Sequence, residues 1–170
     1  MTRMRTSLAI CALALAGLGA APGAASADDA SIRRAVCAND AEFNTLGNRT
    51  ARARRAFVRR GYRRPGRLLD ALADTRRLLA HTREGIVPQQ PSSEGGAQGK
   101  RLYLASFTAF DRGLLTERTG VRRSARNRRP ATRVLDLAFR RYDRALRLER
   151  RAKRIFEDLG ITAAASGCMS

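Results

Sequence analysis

Arginine is the residue type with the most chemistry to offer in this chain. Nine arginines and no acid lie between Arg49 and Arg67, and seven arginines and no acid between Arg118 and Arg133. A guanidinium presents a fixed fork of N–H donors that matches phosphate and carboxylate. A third set, Arg133, Arg140, Arg147 and Arg154, recurs every seven residues, with Arg144 and Arg151 between. On a helix these fall within a sector of about 80°. Asp136 and Asp143 stand four residues ahead of Arg140 and Arg147 and are placed to pair with them. Arg144, Arg151 and Arg154 have no such acid. The candidate anion contacts are therefore Arg54, Arg55, Arg59, Arg60, Arg122, Arg123, Arg144, Arg151 and Arg154. Many such contacts give salt-sensitive affinity for polyanions without sequence preference. Envelope polymers, anionic lipid surfaces and extracellular nucleic acid are the polyanions that fit. The competing interpretation is a structural or protein-interaction bundle whose basic face is merely solvated, with arginine favoured over lysine by codon usage. Codon usage does not explain why 34 basic residues face only 15 acids, a formal charge of +19.

Enzyme chemistry finds little support. His81 is the sole histidine, so one chain has no multi-histidine metal site, and any Ser-His-acid arrangement depends on it. It falls in the last turn of a helix, where it suits the negative end of the dipole. Asp70 and Asp74 are four apart, but Arg67 and Arg77 lie three residues outside them, at ion-pair spacing. Glu157 and Asp158 are adjacent, so on a helix they point about 100° apart. The run Ser92-Ser93-Glu94-Gly95-Gly96 follows no strand and lacks the Lys-Ser/Thr of a phosphate loop. No catalytic residue, metal site or cofactor is expected.

Cys37 and Cys168 are the two cysteines downstream of residue 27. Arg3 and Arg5, the uncharged stretch Ser7 to Ala21, and Ala25-Ser26-Ala27 have the three-part form of a secretory signal peptide. Gly17, Gly19 and Pro22 interrupt the apolar run, which is too short to span a bilayer. The expectation is cleavage after residue 27, which leaves a mature chain of charge about +17 in a secreted, envelope or periplasmic compartment. No later segment is apolar enough to span. An oxidising compartment and an even cysteine count predict a Cys37–Cys168 disulfide.

The elements that position these groups read as helices throughout. The expected fold is all-α, a small antiparallel bundle of about four to five helices forming one Arg-rich domain over 28–170. Asp28, Asp29 and Ser31 open a first helix that should reach about Leu46 and stop at Gly47-Asn48. An Arg-rich helix then runs from about Thr50 to Arg60. Pro65 opens a third, with Leu68, Leu72, Thr75 and Leu79 on one face and a stop at Gly85. The Gly- and Pro-rich stretch 85–99 reads as a flexible linker. The fourth helix, about Lys100 to Arg118, carries the stripe Tyr103, Phe107, Phe110 and Leu114, spaced as a core face, and Gly120 should end it. A basic connector, 121–129, precedes the longest helix, about Thr132 to Leu159. Its apolar face carries Leu135, Ala138, Phe139, Tyr142, Ala145, Leu146, Ala152 and Phe156, with Glu149 and Lys153 as an internal pair.

Overall fold

The computed structural model describes residues 27–162. Five helices follow one another: α1 (Ala27–Cys37), α2 (Asp40–Arg59), α3 (Gly66–Ile86), α4 (Glu94–Asn127) and α5 (Thr132–Asp158). There is no strand among the described residues, and the all-α bundle expected from the periodicity is what forms.

The long α4–α5 hairpin organises the molecule. Gly99, Ser106, Gly113 and Gly120 recur every seven residues on α4 and are all buried. Ala138, Ala145 and Ala152 do the same on α5. A seven-residue repeat keeps one seam of a helix facing its neighbour. Small residues on both seams bring the two backbones close enough for Ser106 Oγ to donate to the Ala145 carbonyl at 2.9 Å. A Cβ on Gly113 would stand 2.5 Å from the Tyr142 ring, and one on Gly120 would stand 2.7 Å from Leu135. These glycines are therefore packing positions inside the helix.

The structure differs from the sequence-based expectations for this hairpin at three points. Gly120 does not end the fourth helix, which runs on through the basic stretch 121–127. With 34 residues α4, not the 27-residue α5, is the longest helix. The stretch 85–99 is not a flexible linker. Residues 94–99 belong to α4, and Ser93 caps it by accepting from the Gly96 amide at 2.9 Å. The remaining turn, 87–93, is pinned from two sides. Buried Asp29 accepts from the Ser92 amide at 2.9 Å and from the Ser93 hydroxyl. Lys100 Nζ donates to the carbonyls of Val87 and Gln89 at 2.7 and 2.6 Å. Hydrogen bonds from Ser93 and Ser92 outweigh burial at Asp29 and hold its carboxyl below the ordinary value.

The first break also moves. The chain bends at Ala38-Asn39 rather than Gly47, and α2 passes straight through Gly47. Asn39 Nδ2 donates to Thr82 Oγ1 of α3 at 2.8 Å, which fixes the bend. A helical glycine costs about 1 kcal/mol against alanine, too little to break a helix that α3 supports. Glycine does end α2, where Gly61 has φ +59.

Two core clusters fill the ends of the bundle. Ile32, Val36, Ile86, Tyr103, Phe156 and Ile161 form the first, around α1. Phe57, Leu68, Leu72, Leu79, Leu114 and Val121 form the second. Of the expected fourth-helix stripe, Tyr103 and Leu114 are buried in these clusters, and Phe107 and Phe110 are partly buried against them. On α5 the expected face divides: Ala138, Ala145, Ala152 and Phe156 are buried, whereas Phe139 and Leu146 are each 43% exposed.

Candidate functional site

The second core cluster gathers the arginine-rich segments. Phe57 from the end of α2 and Leu68 from the start of α3 pack with Val121 late in α4, and Tyr62 and Ala125 lie against them. The α2–α3 connector and the α4–α5 connector therefore stand at one end of the bundle. Eleven exposed arginines crowd that end: Arg59, Arg60, Arg63, Arg64 and Arg67 from one connector and its flanks, and Arg122, Arg123, Arg126, Arg128, Arg129 and Arg133 from the other. None of them has a carboxylate within 4.0 Å among the described residues. Tyr62, Arg64 and Arg128 adopt positive φ, 61°, 56° and 50°. Both connectors are thus tight left-handed turns, which costs a non-glycine residue roughly 1–2 kcal/mol.

The nine arginines singled out from the sequence fall into three groups. Arg55, Arg59, Arg60, Arg122 and Arg123 stand exposed on this pole or beside it. Arg144, Arg151 and Arg154 are exposed along α5, leading away from the pole toward the other end. Arg54 is different and leaves the set. Its guanidinium donates from Nε and Nη2 to the two oxygens of Glu117, at 2.8 and 2.9 Å. Glu117 is 1% exposed and also accepts from the Tyr142 hydroxyl at 2.7 Å. Burial alone would lower the Arg54 pKa, but Glu117 more than offsets it and raises the value. Burial, with the Glu117 charge beside it, pushes Tyr142 up as well. Arg54 also lies over the Phe139 ring, 5.7 Å from its centroid. It is a structural cation that joins α2 to the α4–α5 hairpin.

The remaining chemistry-bearing residues stay dispersed. His81 is exposed on α3. Asp74 pairs with Arg77, as its spacing suggested, and also with Arg49 at 2.7 Å. Lys153 and Glu149 meet at 2.8 Å. Asp136–Arg140 and Asp143–Arg147 are not paired within 4.0 Å, so Arg140 and Arg147 add to the exposed charge. Among the described residues no group of three His, Cys, Asp or Glu could hold a metal ion, and no helix is long and apolar enough to cross a membrane. Cys37 closes α1, and Cys168 lies outside the described residues, as does the whole segment 1–26.

Against protein-family models, curated proteins and solved structures, the chain has no match. Function is therefore read from geometry alone. Sequence reasoning named both arginine clusters but left Arg63, Arg64, Arg67, Arg126, Arg128, Arg129 and Arg133 out of the candidate contacts. Connector residues carry no periodicity, so only the folding-back of two helix pairs shows that these side chains share a pole.

Proposed function

We propose that this is an exported, non-enzymatic helical protein that contacts polyanions through the basic pole. The observation that carries the proposal is the convergence of eleven exposed arginines without carboxylate partners on one end of the bundle. The nearest acids along these helices are Asp70 and Asp136, one turn or less from the cluster. Eleven cations against two acids make a field that attracts phosphate and carboxylate polymers. The stripe Arg144, Arg151 and Arg154 extends it along α5.

Export belongs to the same proposal, with cleavage after residue 27 and a Cys37–Cys168 bond. Ile161 packs in the same cluster as Val36, the neighbour of Cys37. The tail therefore leaves the fold beside α1. Seven residues span up to about 25 Å, so Cys168 is within reach of Cys37.

The test is affinity for polyphosphate, for vesicles containing phosphatidylglycerol and for duplex DNA across a salt series. Binding should weaken steeply with salt. For DNA the logarithmic slope is about −0.9 for each phosphate neutralised. Replacing Arg63, Arg64, Arg128 and Arg129 with Gln should flatten that slope and keep the melting temperature within a few degrees. No measurable binding to any of the three at low salt overturns the proposal and leaves the arginines as solvated surface.

A further inference from the structure

The basic surface has two faces that meet at an edge. One is the pole, the end of the bundle where both connectors turn. The other is the outer side of α5, where Arg133, Arg140, Arg144, Arg147, Arg151 and Arg154 are all exposed. They fall within about 80° on the side of the helix turned away from the buried Ala138, Ala145 and Ala152. From Arg133 to Arg154 the row rises about 32 Å at 1.5 Å per residue. Asp136 and Asp143 lie at one edge of it, and neither has a cation within 4.0 Å among the described residues. Arg133 stands in the first turn of α5 and belongs to both faces. Positive charge therefore continues from the end of the bundle onto its side.

The angle between the two faces selects the form of the ligand. The row runs parallel to the axis of α5, whereas the pole is the end from which that axis emerges. A plane laid on the row stands nearly perpendicular to a plane that covers the pole. A bilayer is flat over these distances and reaches one face or the other. The whole surface measures about 50 Å, the row plus two helix widths across the end. Duplex DNA has a persistence length of roughly 500 Å, so it stays straight over that span and also reaches one face. A flexible chain bends over the edge at Arg133 and neutralises arginines on both. Counterion release grows with every charge neutralised, so a ligand that covers both faces gains over one that covers a single face.

We infer that the ligand of this surface is a flexible linear polyanion, bound lengthwise along α5 and folded over the edge at Arg133 onto the pole. This rests on the polyanion proposal and adds the form of the polymer to it. The chemistry required of the ligand is an anionic group at each repeat of a chain that bends freely. At about 3.4 Å per nucleotide, a single strand needs about 15 nucleotides to cover the surface.

The experiment measures affinity across a salt series for oligothymidylates of about 5 to 30 nucleotides, for a duplex of about 30 base pairs and for vesicles containing phosphatidylglycerol. Affinity for the strands should rise at least about tenfold between 5 and 15 nucleotides and then level off. Two variants separate the faces: Arg144, Arg151 and Arg154 to Gln on the row, and Arg63, Arg64, Arg128 and Arg129 to Gln on the pole. All seven side chains are exposed and glutamine is close to arginine in helix propensity, so both variants should keep their melting temperature within a few degrees. For a single strand the logarithmic salt slope is about −0.7 for each phosphate neutralised. With the longest strand the row variant should therefore lose about 2 from the slope and the pole variant about 3. With the duplex or the vesicles only one of the two variants should change the salt dependence. Strand binding that ignores either variant, or that is already level at 5 nucleotides, overturns the folded-over chain and leaves the polyanion proposal standing. So does an equal response of duplex or vesicle binding to both variants. Absence of binding to every ligand at low salt overturns both.

Discussion

Removing the guanidinium of Arg54 should destabilise the fold far more than removing that of its neighbour Arg55. In Arg54→Ala the carboxylate of Glu117 stays buried, with the Tyr142 hydroxyl as its remaining partner. Breaking a buried ion pair from one side costs about 3–5 kcal/mol. Arg54 is itself 36% exposed, so solvent screening reduces this to about 2–3 kcal/mol. For a domain of this size each kcal/mol moves the melting temperature by about 4 °C, so the drop should be about 8–12 °C. Arg55 is exposed and has no carboxylate within 4.0 Å, and Arg55→Ala should stay within about 0.5 kcal/mol. Thermal melts of both variants near neutral pH, followed by far-ultraviolet circular dichroism, make the comparison. A deficit no larger than that of Arg55→Ala would refute the structural role assigned to this bridge.

The glycines, Asp29 and the cysteine pair supply further tests. Gly113→Ala and Gly120→Ala should each destabilise by about 1–3 kcal/mol through overpacking, although alanine is the better helix former. Gly85→Ala, where an added Cβ meets nothing within 4 Å, should stabilise by up to about 1 kcal/mol in the same melts. Asp29 has its pKa held below the ordinary 3.8. Its contribution is present above that value and disappears as pH falls through the lower folded-state value. Asp29→Asn should thus weaken protection of the Ser92 amide in hydrogen exchange near neutral pH and match the native protein more closely in strong acid. Non-reducing peptide mapping of the exported protein should join Cys37 to Cys168. Reduction should then lower stability, by up to about 5 kcal/mol for so long a loop; free thiols in that material would remove the disulfide from the proposal.

Local chemistry was enough to write the helices, the compartment expectation and the excess of arginine into the sequence. The apolar periods of α3 and α5 place both helices to within about a residue, because an amphipathic stripe is a property of the helix itself. The i, i+4 pair Glu149–Lys153 was legible for the same reason. Glycine was where local reasoning failed. Gly61 ends a helix, whereas Gly47, Gly99, Gly113 and Gly120 lie within helices. The same residue type serves as a stop or as a close-packing point, and only the partner across the seam decides which. Gly113 faces Tyr142 and Gly120 faces Leu135, contacts between residues far apart in sequence. Arg54 shows the same dependence. In the sequence it is one cation among nine in an acid-free run, and its partner Glu117 lies 63 residues away. Whether a guanidinium faces solvent or a buried carboxylate is set by how α2 crosses the α4–α5 hairpin. That crossing is fixed by side-chain packing between distant segments, so tertiary structure alone separated the bridging arginine from the exposed ones and brought two connectors into one basic pole.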